Sequence, residues 1–258
     1  MKAVYSVVIP AYNEERRIER TLHAYAAAFC DSEVVVVANG CTDRTAELAR
    51  AIAHKHPNIR VLEFAQPLGK GGALIAGLES AVADVVAFTD ADGATDPGEL
   101  RRLCGLIGRH DAVVASRWLP GADVMVPQPL ARRAASRVFN RIVRALFGLA
   151  VSDTQCGAKA FRASALTPVL CDVETADYAF DVDVLVALAR RGSTILEVPI
   201  RWRDVDGSKV RLVQGAIKML FAVLRLRLRH SRFSMAVPAF DAVFRTGRLR
   251  APMPDSGI

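Results

Sequence analysis

The chain has 258 residues, of which 52% are hydrophobic and 24% charged, and its net charge is +7. These values fit one large α/β domain or two small ones and exclude a disordered chain. The five cysteines form no C-x-x-C pair, so neither a zinc site nor a disulfide framework is indicated, and a reducing compartment is expected. The sequence shows no signal peptide and no apolar run of the roughly 18 to 20 residues that a membrane span needs.

The first ninety residues alternate between strand and helix periodicities. Strands are predicted at 4–9, 33–37, 59–64 and 85–89, and helices at 14–29, 44–54 and 72–83. Further strands are predicted at 112–115 and 158–161. This order predicts an α/β fold with a mainly parallel, Rossmann-like sheet flanked by helices, in which ligands bind beyond the carboxyl ends of the strands.

Four loops follow the first four predicted strands, and all are polar or rich in glycine. They comprise residues 10–14, 38–43, 66–72 and 90–93. A single loop of this kind is usually only a turn. Four at one edge of a sheet indicate the rim of a site for a sugar and its phosphates.

Neither common phosphate-binding motif is present in these loops. No G-x-G-x-x-G follows the first strand, and Gly69-Lys70-Gly71 lacks the full G-x-x-x-x-G-K-[ST] spacing. Asp90 and Asp92 therefore favour Mg²⁺ or Mn²⁺, which prefer oxygen ligands and are often held by one or two carboxylates plus substrate phosphates. The alternative is a solvated acidic turn. Asp96, followed by a proline, is predicted to cap the next helix.

Seven segments in order resemble the family 2 glycosyltransferases with the GT-A fold: VVIPAYNEERRIERTL, NGCTDRT, GKGGALIAGL, DADG, ASRW, SDTQCGAKAFR and DGSKV. Within that family they are most similar to the polyprenyl-phosphate (dolichyl-phosphate) mannose and glucose synthases. The resemblance implies a catalytic domain over residues 1–212, with a nucleotide-sugar half to about 118 and an acceptor half over 119–212. Residues 213–258 remain as a basic amphipathic helix and tail.

On the donor side, the resemblance implies that Asp90 and Asp92 bind the divalent cation and, through it, the diphosphate of a nucleotide sugar. The implied contacts to the nucleotide sugar otherwise come from Pro10, Ala11, Asn13, Glu14, Asn39, Lys70, Arg201 and Lys209. Relatives commonly carry two acids where this chain has Ala38 and Asn39, which leaves the choice between a UDP-sugar and a GDP-sugar open. Lys70 is alternatively a solvated lysine, and the loop with Arg201 and Lys209 a solvated basic loop rather than a lid.

On the acceptor side, the resemblance implies that Arg117 meets an acceptor phosphate, and Arg132 and Arg133 are assigned to the same acceptor. Asp153 is a candidate general base or supporting residue, since a hydroxyl acceptor needs a base whereas a phosphate is already ionised. Helix capping and catalysis remain open for Asp181 and Asp183. The remaining candidate, Cys156, is predicted to be a buried small residue rather than a nucleophile.

Two basic amphipathic segments suggest contact with a membrane surface. Residues 134–149 and 212–233 place apolar side chains, Val138 and Phe221 among them, opposite arginines. We expect a cytoplasmic protein bound peripherally to the inner face of the membrane. Nucleic acid is not an expected partner, since aromatic residues make up only 7% and no nucleic-acid module is recognisable.

The leading functional hypothesis is therefore an inverting, metal-dependent transfer of glucose or mannose from a UDP- or GDP-sugar to a polyprenyl phosphate. A second hypothesis is a family 2 enzyme that acts on a soluble hydroxyl acceptor. A third is an inactive module that binds sugar nucleotides, against which the intact acids, Lys70 and Arg117 argue.

Overall fold

The structure is a computed structural model that describes residues 3–126, 129–173, 175, 179–203 and 212–244, with the backbone alone for 212–217 and 242–244. In its first half, the elements are β1 (Ser6–Ala11), α1 (Ile18–Ala28), β2 (Glu33–Asn39), α2 (Thr45–Ala53), β3 (Ile59–Phe64), α3 (Gly69–Glu79), β4 (Val85–Phe88), α4 (Pro97–Gly105) and β5 (Ala112–Ser116).

The second half is richer in helix. Its elements are β6 (Asp123–Val126), α5 (Leu130–Phe147), β7 (Lys159–Arg162), α6 (Ala163–Leu170), α7 (Phe180–Arg190), β8 (Ile195–Pro199), β9 (Arg201–Arg203), α8 (Leu212–Arg229), a short 3₁₀ turn (Ser234–Ala236) and α9 (Val237–Phe244).

A seven-stranded sheet organises the described residues, in the order β3-β2-β1-β4-β7-β5-β8. Only β7 runs antiparallel to its neighbours, β4 and β5, so the predicted mainly parallel α/β sheet is confirmed. A second, two-stranded sheet pairs β6 with β9. Because β1, β2, β3 and β4 are parallel, the loops at their carboxyl ends meet at one edge.

Helices cover both faces of the large sheet. Val7 and Ile9 of β1 pack with α1, α2 and α4 on one face, and Val8 packs with α3, α6 and α7 on the other. All three valine and isoleucine side chains are buried, as in parallel strands covered on both faces. A third cluster joins α5, α7 and α8 through buried side chains that include Val143 and Val223.

Two helix starts differ from the sequence prediction. The first helix begins at Ile18 rather than at residue 14, because residues 15–17 form a turn in which the Glu15 N–H bonds to Asp43 of the next strand-end loop. The third helix begins at Gly69 rather than at residue 72, so Lys70 lies in its first turn and not in a loop. The predicted cap is confirmed: the Asp96 side chain accepts a bond from the Gly98 N–H at 2.8 Å.

No helix among the described residues is long and apolar enough to cross a membrane. All five cysteines are described, and none forms a disulfide.

Candidate active site

The first two strand-end loops are bonded to each other. The Asn13 side-chain oxygen accepts a bond from the Thr42 N–H at 2.7 Å, and its amide nitrogen donates to the Thr42 hydroxyl at 3.1 Å. The Glu14 N–H donates to the Thr45 hydroxyl at 2.7 Å. The Glu14 carboxylate lies 2.6 Å from Arg17. Pro10 and Ala11 form the end of β1, directly before this junction.

Asn39, at the end of β2, connects the second loop to the third. Its side-chain oxygen accepts a bond from the Leu68 N–H at 2.6 Å, and its amide nitrogen donates to the Gly69 carbonyl at 3.0 Å. These bonds fix the start of α3 and therefore the position of Lys70. Asn39 thus has a structural role of its own, and its predicted contact with the nucleotide stays a prediction.

Asp90 and Asp92 lie in the turn after β4, at the same edge. Asp92 accepts a bond from the Ala94 N–H at 2.9 Å. Burial raises the pKa of the Asp92 carboxyl, and repulsion from Asp90 raises it further. Two carboxylates that repel each other in a partly buried turn fit a divalent cation, which would relieve the repulsion.

The fit to a metal rests on this pair alone. Within the described part of the chain, no three His, Cys, Asp or Glu side chains are arranged to hold a metal ion. Two carboxylates completed by substrate phosphates are nevertheless an ordinary Mg²⁺ arrangement. Asp90 and Asp92 are therefore the residues that would hold Mg²⁺ or Mn²⁺.

Helix α1 supports the acidic turn through hydrogen bonds to the backbone of that turn. The Thr21 hydroxyl donates to the Ala91 carbonyl at 3.1 Å, and the buried Tyr25 hydroxyl donates to the Thr95 carbonyl at 3.2 Å. Burial raises the pKa of Tyr25, so it stays a neutral donor. Sequence reasoning missed both residues, because they occupy ordinary inward positions of an amphipathic helix.

Gly157 brings a distant loop against the acidic turn. A side-chain carbon built on this glycine would overlap the Asp90 carboxylate, so a larger residue here would displace Asp90 from its position. The segment after Asp153 therefore lines the same site as the acids. Cys156, next to Gly157, is fully buried, and burial raises the pKa of its thiol to about 11, as expected of an inert cysteine.

Lys70 pairs with Asp90 across the edge of the sheet, at 2.7 Å, and lies 4.0 Å from Asp181 of α7. Burial alone would lower the pKa of Lys70, but the charges of Asp90 and Asp181 outweigh it and leave the pKa raised. Lys70 is therefore a permanent cation in the site rather than a solvated side chain. Lys159, from β7, bonds to the other oxygen of Asp181.

Arg117 and Asp153, both predicted to lie on the acceptor side, form a closed ion pair. The Arg117 Nε donates to Asp153 Oδ2 at 2.8 Å and Nη2 donates to Oδ1 at 2.9 Å. Asp153 is fully buried. Burial alone would raise its pKa, but Arg117 outweighs this effect and lowers it. Rings of Trp118 and Trp202 lie 5.6 and 5.2 Å from the guanidinium carbon.

Glu197 of β8 supports this pair. It accepts bonds from the Ser152 N–H and the Asp153 N–H, both at 2.9 Å. Its place in the site has no local sequence signal, because it lies on a strand 44 residues from Asp153.

Strand β9 joins the acidic turn to the predicted late loop. The Arg203 N–H donates to the Ala94 carbonyl at 3.2 Å, and Trp202 forms a bridge with Thr95. Arg201 is exposed and lies 3.5 Å from Asp123. Lys209 and the rest of the late loop, residues 204–211, lie outside the described residues.

The remaining candidates lie farther along the chain. Arg132 and Arg133 are half-buried in the first turn of α5. Asp183 is buried on α7 and accepts bonds from the N–H and the hydroxyl of Thr175, at 3.2 and 2.8 Å. Asp181 faces the lysines instead, so the two acids that the sequence left equivalent have different surroundings.

Comparison with known proteins places this geometry in a family. The sequence model of glycosyl transferase family 2 matches residues 6–169. Glycosyltransferase AglD of Haloferax volcanii is 36% identical over 231 residues, which cover 85% of this chain and 36% of that protein.

Two further relatives match over most of their length. The undecaprenyl-phosphate mannosyltransferase of Micrococcus luteus is 35% identical, with 79% of this chain and 86% of that protein covered. The dolichyl-phosphate beta-glucosyltransferase ALG5C of Trichomonas vaginalis is 32% identical, with 86% and 70% covered. The names of both relatives agree with the predicted transfer of a hexose to a polyprenyl phosphate.

A solved structure supports the fold. Glucosyl-3-phosphoglycerate synthase from Mycobacterium tuberculosis, in complex with Mn²⁺, uridine diphosphate and glucosyl-3-phosphoglycerate, matches with a TM-score of 0.69 and 23% identity over 87% of this chain and 80% of that chain. The predicted GT-A fold is thereby confirmed. With the family model matching most of the chain, the protein belongs to glycosyl transferase family 2.

Proposed function

We propose that the protein transfers a hexose, glucose or mannose, from a nucleoside diphosphate sugar to a polyprenyl phosphate with inversion at the sugar carbon. The relatives from Micrococcus luteus and Trichomonas vaginalis support this acceptor class by their named activities. The observation that carries the choice of a phosphate over a hydroxyl acceptor is the state of Asp153, which is fully buried and bonded through both oxygens to Arg117.

A general base for a hydroxyl acceptor needs an accessible carboxylate with a pKa near the working pH. Asp153 has a lowered pKa, and Lys159 and Lys70 surround Asp181. Asp153 and Asp181 are thus both paired with positively charged side chains. A phosphate acceptor is already an anionic nucleophile and needs positioning rather than deprotonation, so it suits this site.

On the donor side, the first three strand-end loops contact the nucleotide, and Asp90 and Asp92 would hold a divalent cation. Such a cation would supply positive charge to neutralise the departing diphosphate. Lys70 adds a fixed positive charge at the same place. Because this charge is held by α3 before the reaction starts, it costs no reorganisation when the glycosidic bond breaks.

On the acceptor side, Arg117 positions the lipid phosphate. Its Nε and Nη2 are directed at Asp153, and within the described residues no hydrogen bond of Nη1 is found. Nη1 is thus the donor that meets the incoming phosphate oxygen. Arg132 and Arg133 bring further positive charge from the first turn of α5.

The lipid chain suits the outer surface of α5. Leu130 and Val138 are 78% and 53% exposed, beside five arginines on the same helix. Exposed apolar side chains among arginines are typical of peripheral binding to anionic membranes. We propose that the protein binds peripherally to the inner face of the membrane, and the exposed apolar and basic surface of α5 supports the membrane contact.

A donor screen tests the proposal. UDP- and GDP-linked glucose and mannose are each mixed with the protein and undecaprenyl phosphate, and release of the nucleoside diphosphate is followed. We expect release with one donor, its abolition by excess chelator, and loss of at least about 100-fold in Asp92→Asn, since the cation stabilises the leaving group.

Undecaprenol, which lacks the phosphate, is the matched control acceptor. Equal turnover with undecaprenol would contradict the phosphate acceptor. Full activity in chelator or in Asp92→Asn would contradict the cation at Asp90 and Asp92.

A further inference from the structure

Four charged side chains form a continuous row from the core to the acidic turn. Lys159 of β7 bonds to Asp181 of α7, Asp181 lies 4.0 Å from Lys70 of α3, and Lys70 lies 2.7 Å from Asp90. Positive and negative groups alternate along the row. It connects three elements that are otherwise held together by apolar packing.

The inner end of the row is closed to water. Lys159 is fully buried and Asp181 is 2% exposed. The Lys159 ammonium also donates to the Cys156 carbonyl at 2.6 Å, so both of its bonds are fixed by the protein. Buried ions are costly to desolvate, and a core position of this kind is usually apolar. The buried Lys159–Asp181 pair therefore needs an explanation other than core packing.

The outer end of the row is where a cation would compete. The Lys70 ammonium is paired with the Asp90 carboxylate, which is one of the two carboxylates available to a divalent ion. A cation that binds Asp90 competes with the Lys70 ammonium for this carboxylate, because Lys70 already lies 2.7 Å from its Oδ1. Lys70 would then be left half-buried without a counterion, unless another carboxylate is within reach. Asp181 is that carboxylate, since one of its oxygens is bonded to Lys159 and the other faces Lys70.

We propose that Asp181 is a positioning residue that receives Lys70 when a divalent cation binds Asp90, and that Lys159 fixes Asp181 for this exchange. The inference rests on the cation proposed at Asp90 and Asp92. It explains why α7 carries a buried acid directed at a lysine pair rather than at its own helix terminus. Lys70 stays charged and beside the donor diphosphate in both arrangements.

The exchange predicts opposite effects for two neighbouring substitutions. Lys70→Met removes the competitor for Asp90, so the affinity for Mn²⁺ rises by about tenfold. Asp181→Asn removes the second carboxylate and leaves Lys70 on Asp90, so the affinity for Mn²⁺ falls by about tenfold. A residue that only supported the fold would not give these opposite signs.

The experiment measures binding of Mn²⁺ alone, by electron paramagnetic resonance of the free ion, to the full chain without nucleotide or acceptor. Asp183→Asn is the matched control, because it is the same substitution on the same helix at an equally buried acid that accepts from Thr175. We expect Asp183→Asn to bind Mn²⁺ as the unaltered protein does, whatever its thermal stability.

The double variant Lys70→Met/Asp181→Asn separates exchange from simple attraction between Asp181 and the ion. If Asp181 acts through Lys70, its substitution changes Mn²⁺ affinity by less than about threefold once Lys70 is absent. A tenfold loss that persists in the double variant overturns the exchange. If Asp181→Asn does not fold, Lys159→Met/Asp181→Asn removes the buried lysine as well and carries the same comparison.

The outcome for the unaltered protein distinguishes this inference from the proposed function. An unaltered chain that binds no Mn²⁺, either alone or with UDP or GDP added to complete the ligand set, overturns the cation at Asp90 and Asp92, and the exchange with it. An unaltered chain that binds Mn²⁺, with Asp181→Asn unchanged or tighter, overturns the exchange alone.

Discussion

Helices α3 and α5 show how differently the predicted donor and acceptor halves are built. Six of the 11 residues of α3 are buried, and three of these are glycines, of which Gly77 lies directly against Val8 and Val37 of the sheet. Of the 18 residues of α5, only Asn140 and Val143 are buried, and five are arginines. The backbone of Lys70 on α3 is therefore fixed by core packing, whereas the outer face of α5 is left exposed.

This difference matches the ligand proposed for each half. A nucleotide diphosphate is a small polar ligand, and fixed charges stabilise its departure without reorganisation. A polyprenyl chain at a membrane is large and apolar, and it suits an exposed surface with basic residues. The Arg117–Asp153 pair is the exception, because it is buried although it lies in the acceptor half.

Breaking this pair tests the exception and has the largest expected effect. Arg117→Ala or Asp153→Ala alone lowers the free energy of unfolding by about 3–5 kcal/mol, because each leaves a buried charge without its partner. The double variant loses less than the sum of the two. Urea denaturation of all four proteins gives the coupling energy, and additive losses would contradict a closed pair.

The same pair gives a pH dependence with a defined sign. The folded-state pKa of Asp153 is lowered, so its contribution to stability is full above the unfolded value of about 3.9 and is lost as the pH falls through the folded-state pKa. The difference in the free energy of unfolding between the unaltered protein and Asp153→Ala therefore becomes smaller as the pH falls through this range.

The contact between Arg117 and Asp153 also changes how the acceptor class should be tested. Removing either residue alters the other, so comparing Arg117→Ala with Asp153→Asn does not separate phosphate positioning from base catalysis. The phosphate and phosphate-free acceptors described above make that separation without disturbing the pair.

Gly157 joins the two halves, and its substitution has the next largest effect. Gly157→Ala forces a methyl group against the Asp90 carboxylate, so we expect a loss of turnover of about 100-fold, or about 2.7 kcal/mol in the barrier. Gly105→Ala is the control, since nothing lies within 4 Å of the added carbon. Steady-state rates at saturating donor measure the effect, and equal rates in both variants would contradict the contact.

The smallest expected effect concerns the exposed face of α5. Leu130→Asp replaces a 78% exposed apolar side chain, and we expect about tenfold weaker binding to anionic phospholipid vesicles, with little change in stability. Val82→Asp, at a 62% exposed valine of the donor half, is the matched control. Vesicle sedimentation measures binding, and equal losses in both variants would contradict a membrane-binding surface on α5.

Much of the fold could be predicted from the sequence, because periodicity and turn residues are local signals. The strands from β1 to β5 and the acidic turn after β4 lie where the pattern predicts them, within a few residues. The start of α3 could not be predicted, since glycines are usually read as a loop. Here Gly72 and Gly77 are required for close packing: added side-chain carbons would crowd Leu68 and Val8, respectively.

By itself, the sequence determined the α/β class, the family and the position of Asp90 and Asp92, because each depends on residues close together in the chain. Only the tertiary structure decided which charges pair. Arg117 meets Asp153 across 36 positions and Lys159 meets Asp181 across 22. The reason is physical: a lysine or an arginine has the same local pattern whether it is solvated or buried against a carboxylate, and packing of the sheet and helices selects its partner.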